Sequence, residues 1–429
     1  MRRILLVGGG YIGLYTAMRL ERLLKGTDHV LTLVNPENFM QYQPFLPEVA
    51  AGTIDPRAVV VPLRRVLHST DVVIGEVVRV DHDVRTALVR LVDGEERAYP
   101  YDAVVLGPGS RARVLPIPGL ADHAVGFKTV SEAIYLRNRV LSQLDRADEL
   151  ADPGRRRSAL TFVFVGAGYA GVEALGELED LARAAVRVYP NLSRRHMRWT
   201  IVEAEGRILP ELDEGLAGYA RARLEERGIE VRTRTRLESV EGGVVRLSDG
   251  DVFPAETLVW TAGVRPSPLP RASGFPVDEQ GRVKVSPALA VDGFEGAWAA
   301  GDVAAVPNLV EGGLAPPSAQ HALRQAKRLA GNIAAEIAGE PPQPFVYKSM
   351  GGLCSLGHYQ GVANPLGIKI RGFPAWFLHR TYHLLYMPTL ARKVRIALDW
   401  SVALLFPRDI AQLGSLQHPR EPFSRAANE

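Results

Sequence analysis

Residues 4–13 read ILLVGGGYIG: four apolar residues run into Gly8, Gly10 and Gly13, and an amphipathic stretch to Lys25 follows. That order predicts strand, tight turn and helix. In GxGxxG spacing the first glycine makes the turn, the second lets a pyrophosphate approach the backbone, and the third lets helix pack on strand. The free N–H groups of the helix start then face the phosphates. One such loop says little, but residues 162–176, FVFVGAGYAGVEALG, repeat it with Gly166, Gly168 and Gly171 after another apolar run. Two loops predict two bound nucleotides.

Outward from each loop the chain keeps to one plan. After the first helix, residues 30–34 (VLTLV) predict a second strand, and the position where an acid usually meets the adenosine ribose holds Asn35. In the later copy the strand at residues 198–202 (RWTIV) ends at Glu203. A carboxylate there accepts from both ribose hydroxyls of NADH and repels a 2′-phosphate, which favours NADH over NADPH; Arg207 nearby softens that preference. The plainer alternative for Glu203 is a solvated charge at a strand end. Residues 102–109 and 256–263 both run acid, apolar strand, glycine, each after an Asp-Gly turn, and their closing glycines, Gly109 and Gly263, are expected to meet the first and the second nucleotide respectively. The chain therefore holds a degenerate repeat, about 3–110 and 161–264, and each copy is expected to be a parallel α/β sheet with an antiparallel meander as crossover. Within the first copy, residues 39–52 (FMQYQPFLPEVAAG) form either a loop packed near a cofactor ring or an ordinary buried connection.

Further on, residues 296–303 (GAWAAGDV) are a short apolar strand ending in Gly301 and Asp302. This resembles the second fingerprint of flavoproteins, in which the aspartate holds the ribityl chain and a helix start faces the pyrophosphate. Such a return makes the first domain discontinuous, with the second inserted into it. The expected layout is an FAD domain at 1–115 and 286–345, an NADH domain at 116–285, and a C-terminal region at 346–429.

Composition narrows the classes. A chain of 429 residues is long enough for two or three domains. With 46% hydrophobic and 23% charged residues it is an ordinary globular chain, and a net charge of +3 is too small to suggest nucleic acid. The apolar run after Met1-Arg2-Arg3 is too short for a secretory signal and dissolves into glycines, so an intracellular protein is expected. The single cysteine, Cys354, excludes an internal disulfide, a CxxC pair and a cysteine metal site; no metal is expected.

Taken together, the glycines Gly8, Gly10, Gly13, Gly166, Gly168 and Gly171, Glu173 in GVE, the VEA at 202–204, Gly301 with Asp302, and SAQHALRQA at 318–326 resemble the type II, non-proton-pumping NADH:quinone oxidoreductases. These belong to the two-dinucleotide-binding-domain flavoproteins, and the likeness runs over about residues 3–413. The resemblance implies FAD on the first loop and NADH on the second. It also implies hydride transfer from NADH to flavin, and two electrons passed to a quinone such as menaquinone or ubiquinone. It places Glu173 near nicotinamide and flavin, although an acid in a first helical turn also suits the helix dipole. It brings Gln320 near the flavin edge and the quinone. A second glutamine is usual four residues later; here Arg324 stands there and Gln325 follows, which leaves the acceptor open. Asn35, and the Gly107-Pro108-Gly109 turn, are further departures.

From Gly372 the composition shifts again. No apolar run reaches the ~20 residues of a spanning helix. Instead Phe377, Leu378, Leu384 and Leu385, and then Leu390, Val394, Ala397, Leu404 and Leu405, recur at helical spacing on either side of Pro388, with Trp376, Tyr382, Tyr386 and Trp400 alongside. Five basic residues, Arg380, Arg392, Lys393, Arg395 and Arg408, against two aspartates make this stretch as positive as the whole chain. Helices of that kind lie in a bilayer interface, although the same stripe suits packing on the protein itself or on the partner of a homodimer. Together with the family resemblance, this predicts a peripheral protein on the cytoplasmic face of the cell membrane, with a mobile tail from Gly414. Sulfide:quinone and disulfide reductases need a cysteine pair and drop out. A soluble NADH-dependent reductase with another acceptor, and an NADH-sensing flavoprotein with little turnover, stay open.

Overall fold

The computed structural model describes residues 2–412, so the tail expected from Gly414 lies outside the described residues. Along the chain run helices α1 (Tyr11–Leu23), α2 (Leu46–Ala50), α3 (Val130–Glu149), α4 (Tyr169–Ala185), α5 (Ala319–Ala338), α6 (Phe373–Tyr386) and α7 (Leu390–Leu405), with shorter or peripheral helices between them. The chain divides into two units, residues 2–41, 60–113 and 263–349, and residues 42–59, 114–262 and 350–412.

The first unit is built on a seven-stranded sheet. Ala297–Ala299, Ala103–Leu106, Arg2–Val7, His29–Asn35 and Thr70–Asp81 lie side by side in parallel. Thr70–Asp81 is long enough to serve twice. Its first half closes the parallel sheet, and its second half pairs antiparallel with Thr86–Leu91, which pairs with Glu96–Pro100. The strand from Arg2 turns fully buried at Ile4, as a central parallel strand covered on both faces must. α1 and α5 pack together beside it.

The second unit repeats the scheme with a five-stranded parallel sheet in the order Ala124–Gly126, Thr257–Trp260, Thr161–Val165, Arg198–Val202, Ile229–Arg232. Here the meander, Leu237–Ser239, Val244–Leu247 and Val252–Pro254, is a separate sheet, joined to the parallel one through a shared apolar core that includes Val163, Val245, Phe253 and Trp260. A third small sheet, Leu353–Gly357, Gln360–Ala363 and Ile370–Arg371, lies on α4. The contact is close because a Cβ on Gly176 would stand 2.5 Å from the Leu356 carbonyl oxygen.

The boundaries differ from the expected layout in three places. Residues 263–285 belong with the first unit, because Val264–Pro266 pairs with Ser110–Ala112 and Val283–Lys284 with Ala304–Ala305. Residues 42–59, half of the aromatic loop, belong with the second unit, where α2 packs on α3 and α4. The C-terminal region is continuous with that unit rather than separate from it.

Candidate functional site

In the first glycine loop the Gly8 N–H donates to the Val34 carbonyl at 2.8 Å, and Gly8 holds φ +94°, a region that favours glycine. A Cβ on Gly13 would lie 1.8 Å from the Gly8 carbonyl oxygen, so α1 meets its strand where no side chain fits. Gly10 is different: no protein atom lies within 4 Å of where its Cβ would be, and this is the open approach a phosphate needs. The Gly9 N–H donates to Asn35 Oδ1 at 2.7 Å, and Asn35 Nδ2 is spent on the Glu37 carbonyl, also at 2.7 Å. A Cβ on Gly301 would come within 2.8 Å of Ile12, and Ser110, next to Gly109, donates its hydroxyl to Asp302 at 2.6 Å. Gly8, Gly13, Asn35, Gly109, Gly301 and Asp302 thus converge around the open edge at Gly10. Those features fit a dinucleotide whose pyrophosphate meets the α1 start.

Sequence reasoning missed one residue here. Gln325, buried on α5, accepts the Gly301 N–H at 2.8 Å and so ties that helix to the Gly301-Asp302 turn. Nearer the start of the same helix, Gln320 accepts from the Tyr347 hydroxyl at 2.9 Å. Arg324 donates to the Gln320 main-chain carbonyl at 2.9 Å and lays its guanidinium over the Tyr347 ring at 4.5 Å. Gln320, Arg324 and Tyr347 form one half-buried cluster in which the cation is already engaged.

The second loop copies the first. Gly166 N–H donates to Val202 at 2.8 Å with φ +104°, a Cβ on Gly171 would lie 2.0 Å from the Gly166 carbonyl, and Gly168 is open. The Ala167 N–H donates to Glu203 Oε2 at 2.7 Å, and the Glu205 N–H to Oε1 at 3.0 Å. Each carboxylate oxygen keeps acceptor capacity for a ribose hydroxyl. Arg207 turns to the Pro210 carbonyl, 2.7 Å away. Gly263 follows the strand Thr257–Trp260; the Thr261 and Ala262 backbone between them comes within 2.7 Å of where a Gly166 Cβ would stand, and the Gly263 carbonyl accepts from the Arg113 N–H.

Beyond Gly171, α4 carries four buried acids. Glu179 and Asp180 are matched by Arg183 and Arg227 and are structural. Glu173 accepts from the Ser355 N–H at 3.0 Å and pairs with His379 Nε2 at 2.9 Å. Burial pulls the His379 imidazole down, and the Glu173 carboxylate more than reverses this, so the pKa lies above the ordinary value. Around the pair stand Glu48 from α2, Glu177 from α4 and Arg380 from α6, with Arg380 3.6 Å from Glu48 and 3.9 Å from Glu177. None of these neighbours was singled out from sequence except Arg380, expected on a basic outer face and instead turned inward over the Trp376 ring at 4.2 Å. The signal was present in part: acids at 173, 177 and 180 share one helix face. Cys354 is fully buried, and burial, with Glu173 and Glu211 behind it, pushes its thiol well up, so it is no nucleophile.

The family described as pyridine nucleotide-disulphide oxidoreductase matches residues 2–326. The chain is 31% identical to the type II NADH:quinone oxidoreductase of Mycobacterium tuberculosis, across 95% of this chain and 89% of that one. It belongs to the type II NADH:quinone oxidoreductases. The enzyme of that name from Staphylococcus aureus is also 31% identical, over 88% of this chain and 93% of its own. In fold the chain matches NDH2 of Plasmodium falciparum, solved in complex with NADH, with a TM-score of 0.89 at 16% identity, covering 96% and 99% of the two chains. The matched family is named for disulphide chemistry, whereas this chain has the single cysteine Cys354.

Proposed function

We infer that the protein oxidises NADH and reduces a quinone through FAD, without pumping protons. The observation that carries this is the pair of glycine loops with one geometry and two different caps, Asn35 and Glu203, on a chain of this family. FAD, when bound, accepts two electrons from NADH and gives them to the acceptor. The first unit holds it with Gly8, Gly10, Gly13, Gly301 and Asp302, and the second holds NADH with Gly166, Gly168, Gly171 and Glu203. What the chain supplies is position. The start of α1 and that of α4 fix two pyrophosphates, and Glu203 selects the unphosphorylated ribose. Gln320, held by Tyr347, is the polar group offered to a quinone carbonyl, and Arg324 fixes the backbone beneath it. Glu173, held by the Ser355 N–H and by His379, is the acid the second unit offers to influence hydride or proton transfer.

The quinone is reached from the membrane surface. On α7, Leu390, Val394, Leu398, Val402 and Leu405 form an exposed stripe at successive helical turns, and Phe373, Phe377 and Leu385 are exposed on α6. Arg395 is exposed on α7 as well. Such a surface fits a bilayer interface, and no helix among the described residues is long and apolar enough to cross a membrane. The test is stopped-flow reoxidation of the NADH-reduced protein by short-chain menaquinone, ubiquinone and oxygen, with and without anionic vesicles. Fast quinone reoxidation, with the protein sedimenting on the vesicles, is the expected result. Reoxidation by none of the quinones would point to a soluble reductase. Concentration-dependent dimers that ignore lipid would assign the stripe to a homodimer contact.

A further inference from the structure

The segment that follows Glu203 leaves the second glycine loop and returns to it. Glu203 holds the Ala167 N–H at one end, and at the other the Leu209 N–H donates to the Ala167 carbonyl at 2.8 Å. Between them residues 204–207 form an exposed rim. A second stretch is sewn along this rim: the Thr235 N–H donates to the Glu203 carbonyl at 2.9 Å, and the Arg234 N–H to the Glu205 carbonyl at 2.8 Å. Arg234 makes that bond with φ +54°, in the left-handed region that is costly for a residue with a side chain and free for glycine.

The side chain carried by this backbone lies against the rim. Its Nε and Nη2 stand 3.6 and 3.9 Å from where a Cβ on Gly206 would be, so the guanidinium sits beside a residue that has no side chain of its own. Among the described residues the guanidinium has no hydrogen bond, ion pair or ring contact. Its neighbours are spent: Arg232 on Glu230, Asp249 and Asp251, and Arg207 on the Pro210 carbonyl. Strained non-glycine positions cluster at ligand clamps. A planar cation without a partner is suited to stack on an aromatic face.

We propose that Arg234 is the seat of the NADH adenine: its guanidinium stacks on one face of the base along the rim that Gly206 keeps open. This rests on the reading above that NADH occupies the second loop through Glu203. In adenosine the base is joined to the carbon next to the one bearing the 2′-hydroxyl, so a ribose held at Glu203 puts the base beside the residues that follow it. Stacking is favoured over phosphate binding because Glu203 and the exposed Glu205 flank the same rim and repel a 2′-phosphate. Arg234 therefore acts on affinity for the whole dinucleotide, away from the reacting end, and discriminates NADH from hydride donors that lack the adenine.

Reduced nicotinamide mononucleotide, which keeps the hydride donor and lacks the adenosine, separates this role from a structural one. Flavin reduction followed in stopped flow needs no acceptor. In Arg234→Ala the NADH concentration that half-saturates reduction should rise about tenfold with little change in the limiting rate, while reduction by the mononucleotide keeps the wild-type dependence. ADP-ribose should compete with NADH about tenfold more weakly in the variant. Arg234→Gly removes the left-handed strain together with the side chain, so it should show the same loss with an unfolding midpoint no lower than wild type, and it decides the matter should the alanine variant not fold. Equal losses for NADH and the mononucleotide would mean a general disturbance of the loop and overturn the proposal. So would an unchanged half-saturation for NADH, or a loss confined to NADPH, which would make Arg234 a phosphate contact. If Glu203→Arg also leaves the preference for NADH over NADPH unmoved, the assignment of NADH to this loop fails; if that preference moves while Arg234→Ala is silent, only the adenine seat fails.

Discussion

The two glycine loops make nearly the same backbone bonds, while their caps and the helices beyond them differ. Each first glycine donates to the neighbouring strand at 2.8 Å, each third glycine excludes a Cβ, and each second glycine is open. The caps then part. Asn35 spends both ends of its amide on the protein, one on Gly9 and one on Glu37, so it serves as a clamp for the loop. Glu203 closes its loop by the same 2.7 Å bond, but brings a charge and spare lone pairs. The helices part as well. Two residues past the third glycine stands Tyr15 in α1 and Glu173 in α4, and four residues further stand Arg19 and Glu177. On the reading proposed above, one backbone scheme serves two cofactors, and the side chains hung on it, Asn35 and Tyr15 against Glu203 and Glu173, set the two units apart.

The largest effect is expected where the scheme is shared. Gly13→Ala or Gly171→Ala would put a methyl about 2 Å from a carbonyl oxygen, forcing the loop off its strand. The cost is about 3 kcal/mol or more, and thermal unfolding reads it in both variants. Only Gly13→Ala should also shed flavin, and equal flavin loss in both would undo the division of labour.

Next in size is the pair that only α4 carries. The His379 pKa is raised by Glu173 against the pull of burial, so the stability the pair contributes is present below about pH 6.5 and is lost as pH rises through the folded pKa. Glu173→Gln should therefore be less stable than wild type at pH 6, by about 3 kcal/mol, with the difference narrowing as pH rises. A constant offset across pH would mean that the lost Ser355 contact, not the ion pair, is what matters.

The smallest effect belongs to the neutral clamp. Asn35→Ala leaves the Gly9 N–H without its acceptor, at about 1 kcal/mol, and flavin affinity measured by fluorescence recovery should fall less than tenfold. A loss of a hundredfold or more would show that Asn35 does hold the ribose.

Sequence reached the parts of this comparison that are local. Gly8, Gly10 and Gly13, their second copy, the acid at 203 and the Asp-Gly turns are spaced by backbone geometry, and a short window contains them. It did not reach Glu48, which meets His379 across 331 positions of chain, nor the pairing of Val264–Pro266 with Ser110–Ala112 that moves residues 263–285 into the first unit. Arg380 misled for a related reason. A basic residue in an aromatic helix reads as interfacial until the acids that draw it inward, Glu48 and Glu177, are brought beside it by tertiary contacts. Gln325 was visible beside Arg324, but its role as acceptor for Gly301 depends on how α5 is rotated.

The most direct test of the division between the loops is the ratio of kcat/KM for NADH over NADPH, measured side by side in wild type, Glu203→Arg and Asn35→Ala. Loss of the carboxylate and gain of a cation should lower the ratio by about a hundredfold, roughly 3 kcal/mol, with flavin content unchanged, and Asn35→Ala should leave the ratio where it was. A ratio that stays put in Glu203→Arg, or that moves with Asn35, would contradict the assignment of the nicotinamide cofactor to the second loop.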